Sequence, residues 1–298
     1  MRHISICVCT FQRPRLLERL LRSICNLKTD NEFSYSVVVV DNDAHASARD
    51  VVLRAKEKCP LDIEYYIEPE RNISLARNLS IRMSHGELVA LIDDDELPDR
   101  DWLLMLYKVL ISSGSGGALG PVLPHFDTPP PPWLLKSGLL DRTRFPTNSP
   151  LVNPRYLRTG NALLWKRLFL EGERGFDPKY GRSGGGDAVF FLAKIAEGKS
   201  FIWCDEAVVS ETVPPERQRL IYHVKRALTR GMTTSWSTPL LSKSTALSLA
   251  AIPLYLCSLP FSLIIGKHVF ARVLIKTCDH TAKILGYAGV NLVKERPY

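Results

Sequence analysis

The first 112 residues alternate between short apolar runs and longer segments in which apolar side chains recur at helical spacing. The apolar runs predict strands, and the periodic segments predict helices. Strands without polar alternation are typical of a parallel sheet covered by helices on both faces. The sequence therefore predicts an α/β fold with a Rossmann-like, mostly parallel sheet. The predicted strands are residues 4–10, 37–40, 62–67 and 87–92, and the predicted helices are 15–27, 47–58, 74–84 (with Ser74 as N-cap) and 101–112.

Residues 114–158 interrupt this alternation. They contain a glycine-rich segment, 114–120, and four consecutive prolines, 129–132, followed by Trp133. Their weak periodicity predicts long loops. The regular pattern then returns, with strands predicted at 156–164 and 201–209 and helices at 188–197 and 216–230.

Residues 246–265 carry no charged side chain, and this run is long enough to cross a bilayer. Pro253 and Pro260 interrupt it, so a kinked span, a hairpin and an in-plane segment all remain open. Residues 269–287 follow as a basic amphipathic helix, which favours contact with anionic lipid. The alternative is a helical hairpin packed on the rest of the chain or on a second subunit.

Positive charge is concentrated in the last third of the chain. The whole chain carries a net charge of +8, whereas residues 212–298 hold 12 Lys and Arg against 3 Asp and Glu. Nucleic acid and an anionic membrane both attract such a surface. The chain lacks the interleaved aromatic residues and the reading helix of a nucleic-acid-binding protein, so we expect a membrane partner and no nucleic acid.

The seven cysteines predict no metal site and no disulfide framework. Their number is odd, most lie in apolar runs, and the only close spacing is Cys7 and Cys9 within a predicted strand. We therefore expect buried free thiols in a reducing compartment. The N-terminus begins with a strand, so no secretory signal is expected.

Four consecutive carboxylates, Asp93 to Glu96, directly follow the predicted strand 87–92. Ligands of open α/β sheets bind at the carboxyl ends of strands. So much negative charge in one place is explained by a hard cation such as Mg²⁺ or Mn²⁺. The alternative is a solvated acidic turn that caps the next helix.

Further motifs occur where an α/β sheet places ligand-binding groups. In chain order they are Cys9-Thr10-Phe11-Gln12-Arg13-Pro14, Asp41-Asn42-Asp43, Asn72-Ile73-Ser74-Leu75-Ala76-Arg77-Asn78, Asp93-Asp94-Asp95, Gly160-Asn161 and Gly184-Gly185-Gly186-Asp187. This ordered set resembles the family 2 glycosyltransferases, which have the GT-A nucleotide-sugar-binding fold. The resemblance covers residues 4–230, and within the family it is nearest to bacterial exopolysaccharide enzymes of the succinoglycan-type β-glucosyltransferases.

The resemblance implies roles for residues that bind the donor. Thr10 and Arg13 line the nucleotide pocket, and Asp41 accepts a hydrogen bond from the uracil ring unless it only caps a turn. Arg77 lies near the base or the phosphates unless it is a surface arginine. Substrate-binding residues implied by the resemblance also include Asn72, Asn161 and Arg217, the last of which either compensates the leaving diphosphate or contacts lipid headgroups.

The three aspartates after the strand match the family's Asp-x-Asp pattern. The resemblance implies that Asp93 faces the ribose or the metal and that Asp95 coordinates the metal that bridges the diphosphate. Asp94 binds substrate in the same turn, because three consecutive aspartates permit a shift of one residue. The cofactor is then a divalent metal, Mn²⁺ or Mg²⁺.

The same resemblance makes Asp187 the general base of an inverting transfer. One carboxylate must take the proton of the acceptor hydroxyl while that hydroxyl attacks the sugar. Many family members have Glu-Asp where this chain has Gly186-Asp187, and Asp187 also stands where an N-cap for helix 188–197 belongs. The reserve candidates for the base are Glu171, Glu173 and Glu211.

The resemblance implies a catalytic domain at residues 1–230, with a nucleotide-binding half (1–112) and an acceptor-binding half (113–230), and a helical membrane-associating region at 231–298. The expected reaction moves one hexose, glucose, from a UDP-sugar to a lipid-linked saccharide at the cytoplasmic face of the plasma membrane. Processive synthases carry a Gln-x-x-Arg-Trp motif. Here Gln218 is followed by Arg219-Leu220-Ile221-Tyr222, so that motif is absent and we expect single additions.

Trp133 either stacks on a sugar or anchors its loop. The alternatives are a nucleotidyltransferase and a non-catalytic membrane scaffold.

Overall fold

The computed structural model describes residues 1–153, 156–170, 175–182 and 184–290. Its contacts divide the chain into two compact units. The first unit comprises Met1–His125 and Arg142–Thr212, and the second comprises Phe126–Asp141 and Val213–Tyr298. The predicted functional division at residue 230 stays a prediction.

A seven-stranded sheet forms the centre of the first unit. The four strands of its first half are parallel. The inner strands β1, β2 and β4 are mostly buried, because both faces of the sheet are covered, whereas the edge strand β3 is mostly half-buried. The spatial order of the seven strands is β3-β2-β1-β4-β8-β6-β9. Their bounds are β1 Arg2–Thr10, β2 Phe33–Asp41, β3 Ile63–Ile67, β4 Leu88–Asp93, β6 Gly117–Leu119, β8 Asn161–Trp165 and β9 Phe201–Trp203.

The strand order reverses between β1 and β4. From β1 the chain proceeds outward through β2 and β3, and then returns to place β4 on the other side of β1. Such a switch point opens a crevice at the carboxyl ends of the two strands. The register aligns Thr10 with Asp41 and Cys9 with Asp93, so three predicted site residues meet at this edge.

Helices cover both faces of this sheet, and the expected α/β class with a mostly parallel sheet is confirmed. One apolar cluster includes Leu17, Val52 and Trp102, and another, on the opposite side, includes Leu164, Phe176 and Phe191. The helices of this unit are α1 Pro14–Ile24, α2 Arg49–Lys58, α3 Ile73–Met83, α4 Trp102–Ser113, α6 Arg167–Leu170 and α7 Gly186–Ala196.

The prediction of long loops through 114–158 was wrong in part. This region contains β6, a further strand β7 (Val122–His125) and a short helix α5 (Pro132–Ser137). The single strand predicted at 201–209 is also two strands, β9 and β10 (Val209–Thr212), in different sheets. Strand β10 pairs with β7 and with β5 (Glu96–Pro98). Strands of three or four residues are too short for periodicity to reveal.

The expectation of free thiols throughout was wrong for two cysteines. Cys25, just after α1, and Cys59, just after α2, form a disulfide. The other cysteines, Cys7, Cys9, Cys204, Cys257 and Cys278, are free. Spacing along the sequence does not reveal this pair, because parallel packing of α1 and α2 brings their carboxyl ends together.

The second unit is helical in its described part. It contains α5, a 3-10 turn at Pro215–Gln218, and three longer helices. Helix α10 packs on α8, on α9 and on α5. The predicted apolar segment is one continuous helix, with both prolines inside it. The bounds are α8 Leu220–Ser237, α9 Lys243–Ile265 and α10 Lys267–Tyr287.

Candidate active site

The turn after β4 is held to the end of β1 by buried polar contacts. Thr10 Oγ1 donates to Asp94 Oδ2 at 2.7 Å. The Arg13 guanidinium lies 3.1 Å from an Asp94 oxygen and 3.2 Å from an Asp95 oxygen. Burial raises the pKa of Asp94, and the charge of Arg13 opposes that rise. These contacts fix the acidic turn at the switch point.

Arg77 joins the acidic turn to Asp187. Its Nη2 lies 3.3 Å from Asp93, and its Nη1 donates to Asp187 at 2.6 Å. Burial disfavours the charge of Arg77, but Asp187 and then Asp93 raise the pKa of its guanidinium above the usual value. Arg77 is therefore not a surface arginine, because its side chain is only 14% exposed.

Asp187 lies in the first turn of α7 and is not the N-cap, which corrects one alternative reading of the sequence. The N-cap is Gly185, whose φ of 92° favours glycine. The second oxygen of Asp187 accepts from the hydroxyl of Thr159 at 2.9 Å and from its backbone N–H at 3.3 Å. The positive end of the helix dipole also favours a carboxylate here.

The segment that leads to Asp187 is anchored on α3. Asn72, not Ser74, is the N-cap of that helix, and its side chain also donates to the Pro178 carbonyl. The Asn78 side chain accepts a hydrogen bond from the backbone N–H of Phe176 and donates one to its carbonyl. A Cβ on Gly181 would lie 1.6 Å from Asn72 Oδ1, so only glycine permits this approach.

Two predicted donor-binding residues are enclosed by protein contacts. Asp41 is fully buried and accepts hydrogen bonds from Ala48 N, Asp43 N and Tyr65 Oη. The two backbone contacts correspond to the alternative in which Asp41 caps a turn. Asn161 accepts from Trp102 Nε1 and donates to two backbone carbonyls. Their predicted contacts with substrate stay predictions.

The reserve candidates for the base divide into two groups. Glu211 on β10 pairs with Arg142, so its charge is already compensated. Glu171 and Glu173 lie outside the described residues.

Arg217 belongs to the second unit, in the 3-10 turn. Trp133, also in the second unit, packs edge-on against His223 with ring centroids 6.1 Å apart.

Sequence reasoning missed Thr159, Asn78 and Glu96. Glu96 is 2% exposed, and its carboxyl accepts from the backbone N–H of Asp93 at 2.9 Å. Burial, and then the nearby charge of Asp93, raises its pKa well above the usual value. The run of four acids was a signal for Glu96, and Asn78 ends the motif that begins at Asn72, whereas Thr159 belongs to no motif.

The residues at the switch point fit a divalent metal by their chemistry. Carboxylate oxygens are the donors that Mg²⁺ and Mn²⁺ prefer. The Asp93 side chain is 48% exposed, whereas Asp95 is 7% exposed and pairs with Arg13. Within the described residues, no three acidic, His or Cys side chains are grouped to hold a metal. Asp93 and Asp95 are thus two candidate carboxylate ligands, and a metal bound there would take its further ligands from substrate or water.

The fold and the residues at the switch point first define a class of protein. It is an open α/β protein with a crevice at the carboxyl ends of β1 and β4. The family model for glycosyl transferase family 2 matches residues 5–171. The chain is also 37% identical over 234 residues to the succinoglycan biosynthesis protein ExoM of Rhizobium meliloti, covering 78% of this chain and 74% of the relative. The chain belongs to glycosyl transferase family 2.

Solved structures confirm the GT-A fold. TarS 1–349 of S. aureus, solved with UDP-GlcNAc, gives a TM-score of 0.58 at 16% identity, covering 98% of this chain and 93% of that one. The mannosyltransferase PcManGT of Pyrobaculum calidifontis, solved with GDP-Man and Mn²⁺, gives 0.58 at 18% identity, covering 97% and 76%.

Proposed function

We propose that this protein is an inverting, metal-dependent hexosyltransferase. It moves a single sugar, glucose, from UDP-glucose to a lipid-linked saccharide in the synthesis of a bacterial exopolysaccharide. The similarity to ExoM supports the pathway class, since that relative is a succinoglycan biosynthesis protein. The acceptor carries a lipid, so the reaction takes place at the cytoplasmic face of the plasma membrane, where α9 provides an exposed apolar surface.

The observation that carries this proposal is the shared guanidinium of Arg77. Through it, Asp187 and Asp93 lie on either side of one charged group. A transferase of this kind needs a carboxylate for the acceptor proton and an acidic turn for the donor diphosphate. The two ion pairs of Arg77 support the proposal, because they hold both carboxylates close to one another.

Asp187 serves as the base that takes the proton of the acceptor hydroxyl. Thr159 and Arg77 bind its two oxygens and so fix the direction in which the carboxylate faces. Thr10 and Arg13 hold the acidic turn that meets the donor. Asp41, Asn72 and Asn161 support the surrounding loops, and the contact of Arg217 with the leaving diphosphate stays a prediction.

Asp93 and Asp95 would hold the divalent metal, with Asp94 keeping their turn in place through Thr10 and Arg13. When bound, the metal supplies positive charge for the diphosphate as it leaves. PcManGT, whose solved structure contains Mn²⁺ beside GDP-Man, supports this assignment.

The first experiment is UDP release from a panel of UDP-sugars, with Mn²⁺, Mg²⁺ or EDTA, using membranes as the source of acceptor. We expect release with one sugar and loss of release in EDTA. Release that is equal for all sugars and unaffected by EDTA would contradict a metal-dependent, sugar-specific transferase.

The variant Asp187→Asn tests the base. We expect transfer to fall by about 10²–10⁴-fold, because the amide cannot take the proton, while UDP affinity changes little. Asp50→Asn on the exposed start of α2 is the matched control and should retain full activity. If transfer persists in Asp187→Asn, another group is the base.

A further inference from the structure

Helix α9 turns its apolar side chains outward. Large apolar residues along its length are exposed, from Leu247 at 60% to Ile264 at 84%. Only 11% of the most apolar 18-residue stretch of this helix is buried inside the structure. At about 100° per residue, the exposed apolar positions cover roughly 200° of its circumference. They are Leu247, Leu249, Leu254, Leu256, Phe261, Leu263, Ile264 and Ile265.

The fully buried side chains of α9 are polar. Thr245, Ser248 and Ser262 are its buried residues. Thr245 Oγ1 lies 3.0 Å from Tyr287 Oη, and Ser248 Oγ lies 3.1 Å from His280 Nδ1. A helix whose fully buried side chains are polar and whose large exposed side chains are apolar is arranged for an apolar surrounding on its outer side.

Helix α10 runs back along α9, because Gly266 alone separates them. Contacts such as Thr245 with Tyr287, and Ser244 with Lys283 at 2.9 Å, show antiparallel packing. Charged residues occur along the whole of α10. They are Lys267, Arg272, Lys276, Asp279 and Lys283.

The charges of α10 bind the other helices of this unit. Asp279 pairs with Arg230 of α8, and Arg272 Nη2 donates to the Lys136 carbonyl of α5 at 3.3 Å. If α9 crossed a bilayer, it would carry α10 and its charged side chains into the hydrocarbon. Each charged side chain at the bilayer centre is costly.

The prolines of α9 also disfavour a helix that crosses the bilayer. Pro253 and Pro260 lie on the exposed side of the helix, and each removes one backbone donor, so the carbonyls of Leu249 and Leu256 lose a helical partner. Such carbonyls require another donor when they enter hydrocarbon, whereas water near the headgroups provides one.

From this arrangement we propose that α9 lies in the plane of the membrane, with its apolar side in one leaflet and α10 on the aqueous side, and does not cross. The partner is a leaflet with anionic lipids, because Lys243 and Lys267 flank the helix on the exposed surface. The inference rests on the proposed membrane association and adds its geometry. A second copy of this chain fits less well, since one helix partner covers only part of so wide an apolar arc.

The test locates the two ends of α9. In full-length protein with the exposed Cys257 changed to Ser, Lys243→Cys and Lys267→Cys are made separately. They are treated with a membrane-impermeant maleimide in inside-out and right-side-out membrane vesicles. An in-plane helix predicts labelling of both residues from the cytoplasmic face only. A helix that crosses would place the two thiols on opposite faces, which would overturn the proposal.

Depth is measured on native Cys257 with an environment-sensitive dye. We expect stronger quenching by lipids brominated near the headgroup than by lipids brominated near the chain end. Ile264→Asp should reduce binding to vesicles containing phosphatidylglycerol at least tenfold, whereas Leu53→Asp, an exposed leucine of α2, should not. Full vesicle binding by Ile264→Asp would overturn the proposal.

The outcomes separate this inference from the proposed reaction. UDP release in detergent should be unchanged in Ile264→Asp, because the change lies on α9 and not at the switch point. Loss of vesicle binding with retained UDP release in Ile264→Asp would show that α9 contacts the membrane and that this contact is separate from the transfer reaction. If the wild-type protein binds no vesicles and instead forms a dimer that Ile264→Asp dissociates, a second copy covers α9 and the proposal fails.

Discussion

Arg77 contacts two carboxylates that are far apart in the sequence. Asp93 is 16 residues away and Asp187 is 110 residues away. Both ion pairs use separate nitrogens of one planar guanidinium, which is a geometry that lysine does not offer. The side chain thus acts as a positioning residue for the proposed base and for the acidic turn.

Arg77→Lys should lower the rate of transfer at least about 100-fold, because one ammonium cannot hold both carboxylates in place. The matched control is Arg82→Lys on the same helix, where the side chain is exposed. The measurement is the rate of UDP release under saturating donor, with a thermal melt to confirm folding. A folded Arg77→Lys variant with normal rate would remove Arg77 from this role.

His223 lies on α8 in the second unit, where its ring contacts Trp133 of α5. Burial, and then the charge of Arg226, lowers its pKa to about 4. The ring is therefore neutral in the folded protein, while an unfolded histidine takes a proton below pH 6.5. Between those two values the unfolded state binds more protons, so stability falls as pH decreases from 6.5 toward 4.

His223→Gln should reduce this dependence of the free energy of unfolding on pH by at most about 1.4 kcal/mol per pH unit, the value for one proton. His45→Gln, at an exposed position, is the matched control for the loss of one imidazole. Urea unfolding at several pH values gives the slope independently of the absolute stability. An unchanged slope in His223→Gln would show that another group causes the acid sensitivity.

At the scale of elements, the start of α3 supports the segment before α7. The Asn72 side chain caps α3 and donates to the carbonyl of Pro178. Gly181 lies directly against that side chain. A cap of one helix therefore determines where the first turn of another helix, with Asp187, begins.

Gly181→Ala should displace this segment and reduce transfer, because its Cβ would meet the Asn72 amide. Asn72→Ala removes the cap and should cost about 1 kcal/mol of stability. In the Asn72→Ala background the additional effect of Gly181→Ala should be smaller, since the obstacle is gone. A double-mutant cycle of stability and transfer rate measures this coupling, and strictly additive effects would contradict the contact.

At the scale of the whole molecule, positive charge and the exposed apolar helix occur together in the second unit. Residues 212–298 hold the excess of Lys and Arg, and α9 lies among them. Basic residues near an anionic surface contribute about 1 kcal/mol each, and salt screens that attraction. Apolar burial and charge thus favour the same lipid partner.

Changing Lys243 and Lys267 together to Gln should weaken binding to anionic vesicles roughly tenfold or more at low salt. Binding to neutral vesicles should change little. Lys56 and Lys58, both exposed on α2, provide a matched pair of controls. Vesicle sedimentation across a range of salt concentrations is the measurement, and equal loss on both kinds of vesicle would contradict an electrostatic contribution.

The sequence by itself determined the α/β class, the first four strands and helices to within a few residues, and the position of the acidic turn after the fourth predicted strand. These features follow from local periodicity and from the chemistry of side chains at strand ends. Tertiary structure alone decided the pairing of Arg77 with Asp187, the disulfide of Cys25 with Cys59, and the short strands β5, β6, β7 and β10. It also decided that α9 buries its hydroxyls and exposes its leucines. Contacts between distant residues depend on how elements pack, and no local pattern in the chain encodes them.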